Sequence, residues 1–268
     1  MEIEKITIIG GQGKNGQKDL VEQITLSMGN VVSIVGPTGS GKTTLINDIA
    51  LFANCNTPSR RKILINDRPP SEKYLEDPST NPIALITQHT NFLSDLPVYR
   101  FLETHVRIRQ TSSSPASIIH QTLEFANLLT GEPIIMDSAM TELSGGQTRA
   151  LLIADAVIIG NSPIILLDEI ENAGIHRTKA LELLRHYKKI FIFVTHDPRI
   201  TLLSDFRVVM KAGAMQEMII TGDEEKQVAE EIKKLDDLLL GLRSQIRAGC
   251  RLEERDLKEQ LRALGYIA

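Results

Sequence analysis

A glycine-rich loop that ends in a lysine and a threonine lies between two apolar segments. The run 31–35 is typical of a buried strand, and residues 44–49 predict a helix. Glycines let backbone N–H groups turn toward a phosphate, Lys42 can neutralise its oxygens, and the Thr43 hydroxyl can bind Mg²⁺. The loop therefore predicts a site for a nucleoside triphosphate with Mg²⁺. Its residues are Gly36, Pro37, Thr38, Gly39, Ser40, Gly41, Lys42, Thr43 and Thr44.

Two carboxylates follow the apolar run 164–167, as expected of a buried parallel strand that ends at a ligand-binding edge. Asp168 suits a magnesium shell, and Glu169 suits the activation of an attacking water. Taken without the loop, Glu169 would be a solvated acid at a strand end. His196 follows the apolar run 191–195 at the same predicted edge, and alone it would be structural or a weak acid–base candidate.

A serine, two glycines and a glutamine precede a segment that predicts a helix over 147–156. Ser144 is placed near the N-cap, and the amides of Gly145 and Gly146 at a helix N-terminus form an anion site. Gln147 follows them, and taken alone the turn is more typical of simple helix capping than of an anion site. Gln88 ends the predicted strand 83–87 and carries no meaning by itself.

These segments together, in the order in which they occur, resemble the ATP-binding cassette (ABC) ATPases from the first strand to about residue 220. The resemblance implies an Mg²⁺-dependent ATP hydrolase with ATP and Mg²⁺ as cofactors. It assigns Glu169 to water activation, His196 to the γ-phosphate and water, Gln88 to Mg²⁺ and water, and Thr43 and Asp168 to Mg²⁺. It also implies that the 144–147 turn reaches across a homodimer or heterodimer to the nucleotide of the partner, so that a monomer would not hydrolyse ATP.

Three features differ from the family pattern. Residues 1–30 contain no Phe, Tyr or Trp to stack on adenine, so discrimination of ATP from GTP is expected to be weak. The stretch 170–175 lacks the usual proline and has Ile175 in place of an aspartate, which predicts altered communication between the two sites. The segment 134–142 has no glycine-rich stretch of the exporter type.

The pattern predicts an α/β fold: a P-loop NTPase core of mainly parallel sheet with a helical subdomain insertion and a C-terminal helical hairpin. The ABC domain is expected over 1–222, its helical subdomain over about 89–156, and a helical extension over 223–268. A literal GxGxxG at 11–16 is formally a dinucleotide fingerprint, but the residues after it are too few for a packed helix. A mobile hairpin loop near the nucleotide is favoured instead.

The tail has a different pattern from the rest of the chain. Apolar residues recur at spacings of four and three, which is the stripe of a short coiled coil broken at Ala248 and Gly249. The stripe could pack onto its own domain or pair with a second subunit. Its members are Val228, Ile232, Leu235, Leu239, Leu242 and Ile246.

Composition and family analogy set the expected partners. A net charge of −4 without a basic block gives no reason to expect nucleic acid, and no targeting pattern or spanning segment is visible in the 268 residues. We predict a stand-alone, cytoplasmic nucleotide-binding subunit, at the inner face of the membrane, with a permease partner. The alternative is a soluble ABC ATPase that remodels a protein or metalloenzyme partner. Apolar residues in 92–101 are the candidates for permease contact: Phe92, Leu93, Leu96, Val98, Tyr99 and Phe101.

Overall fold

The computed structural model describes residues 2–87, 89–92, 94–109, 114–169 and 177–267, with only the backbone of 177–179. The chain divides into two compact units, one up to Ile220 and one from Thr221 onward. No helix in the described residues is long and apolar enough to cross a membrane.

Six strands of the described residues form the main sheet: β3 Val31–Val35, β5 Ile83–Ile86, β6 Ile164–Asp168, β7 Ile190–Val194, β8 Phe206–Lys211 and β9 Ala214–Ile220. Their order across the sheet is β5-β6-β7-β3-β8-β9. The first five in this order run parallel, and β9 pairs antiparallel with β8. The central strands β6 and β7 are apolar from Ile164 to Leu167 and from Ile190 to Val194, because both faces of a parallel sheet are covered. The α/β fold with a mainly parallel sheet is thereby confirmed.

A smaller antiparallel sheet consists of β1 Lys5–Ile9, β2 Gln23–Ser27 and β4 Lys62–Ile65. Its strand order is β2-β1-β4. β1 and β2 form a hairpin in which Lys5 pairs with Ser27 and Ile9 with Gln23. Along β2, the buried Ile24 and Leu26 alternate with exposed residues, as expected of a strand that packs one face on a core.

Alternate residues of the central strands contribute to two separate cores. Ile164 and Leu166 of β6 join a core that includes the first long helix, α1 Lys42–Ala50. Ile165 and Leu167 join a second core, which contains most of the other helices of this unit. The period-two alternation of a strand accounts for this division. The other helices are α2 Lys73–Glu76, α3 Val98–Arg109, α4 Pro115–Leu129, α5 Gly145–Ala154, α6 Arg177–Arg185 and α7 Pro198–Leu203.

α5 begins at Gly145, two residues before the predicted start, and continues into a π-helical segment over Asp155–Ile159. The wider turn places the Asp155 carboxylate 2.7 Å from Nδ1 of His105 on α3. An aspartate in an otherwise apolar segment thus gains a partner where the helix widens.

The second unit consists of two helices, α8 Asp223–Arg247 and α9 Glu254–Ala263. Gly249 adopts a φ of 79° directly after α8, which fits the predicted break at 248–249. The hydroxyl of Tyr266 lies 3.3 Å from the carbonyl oxygen of Glu231 and 3.2 Å from its side-chain Oε2, so the chain folds back along α8.

Candidate functional site

The predicted site residues follow neighbouring parallel strands and therefore meet at one edge of the sheet. Asp168 pairs with Val194 across β6 and β7, and Ile34 pairs with Val194 across β3 and β7. The two acids, His196 and the glycine-rich loop consequently leave adjacent strands on the same side. Gln88, two residues beyond β5, lies outside the described residues.

The glycine-rich loop is shaped by backbone contacts that exclude side chains. Gly41 has a φ of 97°, and a Cβ there would lie 2.7 Å from Cα of Gly213. A Cβ on Gly36 would lie 2.4 Å from the carbonyl oxygen of Met210. Because Gly41 caps α1 without a side-chain hydrogen bond, the first-turn amides remain suited to an anion.

Lys42 folds back across this loop. Its buried Nζ donates to the carbonyl oxygens of Gly36 at 2.8 Å and Pro37 at 3.2 Å. These two contacts hold the ammonium within the cradle, where phosphate oxygens can take the place of the carbonyls. Thr43 and Thr44, the next two residues of α1, are exposed.

Glu169 has a backbone conformation that glutamate rarely adopts. Its φ is 49°, and its N–H donates to the carbonyl oxygen of Val194 at 2.9 Å. This turn aims the side chain at the neighbouring strand end, where Oε1 lies 3.5 Å from Nε2 of His196. Left-handed conformations of non-glycine residues cost free energy and cluster at functional sites. The carboxylate and the imidazole together can accept a proton from a water and contact an anion.

The donor set at this edge fits Mg²⁺. Asp168 supplies a hard carboxylate at the end of β6, and Thr43 supplies a hydroxyl at the start of α1. Among the described residues, no group of three or more His, Cys, Asp or Glu could hold a metal alone. Magnesium commonly combines one or two protein ligands with substrate phosphates, so this partial set suits a metal that arrives with a nucleotide. Bound there, Mg²⁺ would neutralise phosphate charge.

The 144–147 turn forms a capping box at the start of α5. Ser144 Oγ accepts from the Gln147 N–H at 3.3 Å, and Gln147 Oε1 accepts from the Ser144 N–H at 2.9 Å. The Gln147 amide also donates to the carbonyl oxygen of Pro133 at 3.1 Å. These bonds keep the turn within the helical subdomain. Ser144 and Gly145 are exposed, so their surface is open to a second molecule.

A family profile described as ABC transporter matches residues 22–172. An uncharacterized ABC transporter ATP-binding protein from Methanocaldococcus jannaschii is 47% identical over 257 residues, covering 96% of this chain and 98% of that protein. This chain belongs to the ABC transporter family. It is an ABC ATPase, and its enzymatic activity is ATP hydrolysis.

Other ABC proteins resemble smaller parts of it. A spermidine/putrescine import ATP-binding protein of Bacteroides thetaiotaomicron is 31% identical over 213 residues, and this chain spans 44% of that protein. A dimeric ATP-binding cassette in a post-hydrolysis state with ADP and Pi superposes with a TM-score of 0.60 at 23% identity, covering 81% of this chain and 99% of that one. The second match supports the fold alone.

A buried ion-pair cluster behind the ABC phosphate loop was not predicted from the sequence. The fully buried Arg61 donates to both Asp19 oxygens at 2.9 Å, to Asp48 Oδ2 at 3.2 Å and to the Gly213 carbonyl oxygen at 2.7 Å. Asp48 lies on α1 and Gly213 lies in the β8–β9 turn. The Gly213 N–H in turn donates to the Ser40 carbonyl oxygen at 2.8 Å. The guanidinium thus joins the phosphate loop, its helix and two other segments.

The GxGxxG segment is the loop of the β1–β2 hairpin, as the sequence favoured. It is pinned to its surroundings: the Gly11 N–H donates to Asp19, and the Lys14 N–H donates to the Ala212 carbonyl oxygen. Lys14 Nζ donates to the Gly39 carbonyl oxygen at 3.0 Å, so the loop touches the phosphate loop. These bonds tie the loop to its surroundings, and its expected mobility stays a prediction. The unusual stretch 170–175 lies outside the described residues.

Proposed function

We propose that this ABC ATPase works as a pair of subunits that close on two ATP molecules and drive a membrane permease. The observation that carries the proposal is the convergence of the phosphate loop, Asp168, Glu169 and His196 on one sheet edge, while the 144–147 turn is exposed on a separate helix. One chain therefore has the hydrolytic groups together, and it presents a second anion-binding turn to another molecule.

Each residue has a proposed role in hydrolysis. Lys42 and the α1 amides hold the phosphates, and Thr43, Gln88 and Asp168 hold Mg²⁺. Glu169 accepts a proton from a water whose oxygen attacks the γ-phosphorus, and the bond from that phosphorus to the ADP oxygen breaks. His196 contacts the γ-phosphate from the side of Glu169. Ser144, Gly145, Gly146 and Gln147 of the partner subunit approach the same phosphate.

The proposal of a transporter subunit rests on the similarity of this chain to ATP-binding proteins of ABC transporters. Its relatives include an ABC transporter ATP-binding protein that it matches over almost the whole chain. The transporter function is accordingly supported over that of a soluble remodelling ATPase. The identity of the permease and of the transported substrate stays open.

The paired site is tested by light scattering on Glu169→Gln protein with and without Mg-ATP. We expect ATP to double the mass and Ser144→Arg to abolish this dimer, because a bulky cation would block the turn. In the chain that keeps Glu169, Ser144→Arg should also abolish the ATPase activity. Ser114→Arg is the matched control, since Ser114 is an exposed helix N-cap in the same subdomain that makes no side-chain cap bond. A Ser144→Arg variant that dimerises with ATP and hydrolyses it normally would contradict the paired site.

A further inference from the structure

α8 carries an apolar line along its exposed surface. Its members are Val228, Leu235, Leu239 and Ile246, with exposed fractions of 50%, 40%, 49% and 59%. At about 100° of rotation per residue, their spacings of seven, four and seven place all four within about 20° of one direction. The line is about 27 Å long. Four large side chains that share one direction form a continuous seam.

The hydrogen bonds of Tyr266 lie beside the seam and not on it. Tyr266, which follows α9, donates to Glu231, which lies about 60° from the seam. The half-buried Leu238 and Leu242 lie on that same flank, whereas the four seam residues are exposed. Leu242 of the predicted heptad stripe therefore does not belong to the seam.

Charge is distributed unevenly along α8. Its first part, 223–237, contains seven carboxylates and three lysines, whereas 238–247 contains two arginines and no carboxylate. A parallel pair would set the acidic ends side by side, which is repulsive. An antiparallel pair would set each acidic end beside the arginines of the other helix, which is attractive. The two helix dipoles would then also run in opposite directions, which is the favourable arrangement.

We propose that the α8 seam is a self-association surface on which a second copy of this chain packs its own α8 antiparallel. Val228 then lies opposite the partner's Ile246, and Leu235 lies opposite the partner's Leu239. Arg243 and Arg247 lie near the partner's acidic half. This contact requires no nucleotide, so it is distinct from the pairing across ATP.

The contact is short. A 27 Å two-helix seam buries less surface than a stable stand-alone interface, so the pair is expected to be weak, with a dissociation constant of about 10–100 µM. A weak contact of this kind raises the local concentration of a second subunit. It would thereby favour assembly of the nucleotide dimer.

Sedimentation of the full Ser144→Arg chain without nucleotide tests the seam, because this variant removes the ATP-dependent contact. We expect a concentration-dependent dimer that Leu239→Glu weakens at least about tenfold, since a charge would be buried in the seam. Leu240→Glu is the matched control: Leu240 is 50% exposed but lies about 100° away from Leu239, so the dimer should persist. Circular dichroism verifies that both variants keep their helices.

Disulfide formation tests the orientation. Cys55 and Cys250 are exposed and are first replaced by serine. In this background, Val228→Cys protein mixed with Ile246→Cys protein should cross-link, while each variant alone should not, since like positions would be about 27 Å apart and a disulfide needs Cα atoms within about 7 Å. Cross-linking of Val228→Cys alone would overturn the antiparallel pair. A protein that stays monomeric up to about 1 mM, or a dimer that withstands Leu239→Glu, would overturn the surface itself.

Discussion

Glu169 has a strained backbone conformation, and its carboxylate lies close to the imidazole of His196. The hydrogen bond from its N–H to Val194 fixes the left-handed turn, and the turn sets the carboxylate beside His196. A glutamate that continued in extended conformation would project roughly perpendicular to the sheet instead. The strain thus has a function: it directs the side chain across the sheet edge toward the neighbouring strand.

Replacement of this carboxylate should separate binding from hydrolysis. Glu169→Gln is expected to keep ATP affinity nearly intact and to lower turnover by about 10²-fold or more, because the amide cannot accept the proton of the water. Lys42→Ala should instead weaken nucleotide binding itself. Single-turnover hydrolysis and equilibrium binding measure the two effects, with the exposed Glu182→Gln as control. Near wild-type single-turnover rates in Glu169→Gln would exclude the proposed role.

Lys189 gives the fold a pH dependence at the end of β7 opposite the candidate site. Burial lowers its pKa from 10.5 to about 8, and its Nζ donates to Asn161 Oδ1 and the Ser162 carbonyl oxygen. Between pH 8 and 10.5 the Lys189 amine binds more protons in the unfolded chain than in the folded one. The free energy of unfolding therefore increases as pH rises through this range. The contribution is lost as pH falls through about 8.

Urea denaturation at pH 7 and pH 10 measures this contribution as a difference between wild type and Lys189→Met. We expect the difference to shift in favour of wild type by on the order of 1 kcal/mol at pH 10, since one pKa unit corresponds to about 1.4 kcal/mol. Lys188→Met, at the exposed neighbouring position, is the control. A difference that does not change with pH would contradict the assigned cause.

At the scale of elements, the Arg61 cluster joins segments that are far apart in sequence. Arg61→Leu is expected to lower the free energy of unfolding by about 3–5 kcal/mol, because Asp19 and Asp48 would keep buried charges without their cation. Chemical denaturation measures the loss. Arg61→Leu combined with Asp19→Asn and Asp48→Asn should recover part of it. A loss below about 1 kcal/mol in Arg61→Leu would show that water or local rearrangement satisfies the acids.

The β1–β2 loop bears on base recognition. It meets the phosphate loop through Lys14 and Gly39, yet residues 1–30 offer no aromatic ring for stacking. We therefore expect most affinity to come from phosphates and Mg²⁺, with a preference for ATP over GTP below about 100-fold, or about 2.7 kcal/mol. Competition binding to Glu169→Gln protein measures the ratio. A larger preference would mean that another side chain reads the base.

Local patterns were sufficient to predict the elements that hold the site. Apolar runs before the glycine loop, the two acids and His196 predicted parallel strands, and parallel strands bring their ends to one edge. The capping turn at Ser144 could be predicted in the same way, because a serine followed by glutamine at N3 is a local sequence signal. The functional roles of these residues remain predictions.

Features that depend on contacts between distant parts of the chain could not be predicted from local sequence patterns. Arg61 pairs with Asp19 over 42 positions and reaches Gly213 over 152, and single-sequence patterns do not reveal such pairings. The left-handed turn at Glu169 follows from the bond to Val194 on another strand and not from its residue type. The apolar residues of 92–101 illustrate the same limit: Val98 is fully buried, Phe92 packs on Phe101 at 4.9 Å between ring centroids, and Leu96 is exposed. Leu93 lies outside the described residues.

At the scale of the whole molecule, two surfaces are available for different partners. The first unit exposes Leu96 before α3 and Ile108 near its end, with exposed fractions of 48% and 60%. The second unit exposes the α8 seam. A permease subunit would contact exposed residues of the first unit, whereas a soluble remodelling ATPase would dock its partner through the second unit. The two functions therefore predict opposite effects of the same deletions and substitutions.

Fractionation of a tagged chain from its native source distinguishes these functions. We expect the chain to sediment with membranes and to be released by detergent in a complex with a membrane protein. Leu96→Glu with Ile108→Glu should abolish this association, because two charges would enter an apolar contact, while Leu51→Glu at an equally exposed site should not. Removal of residues 223–268 should leave membrane association in place. Recovery of soluble proteins alone, lost with the tail while ATPase activity persists, would replace the transporter function with soluble remodelling.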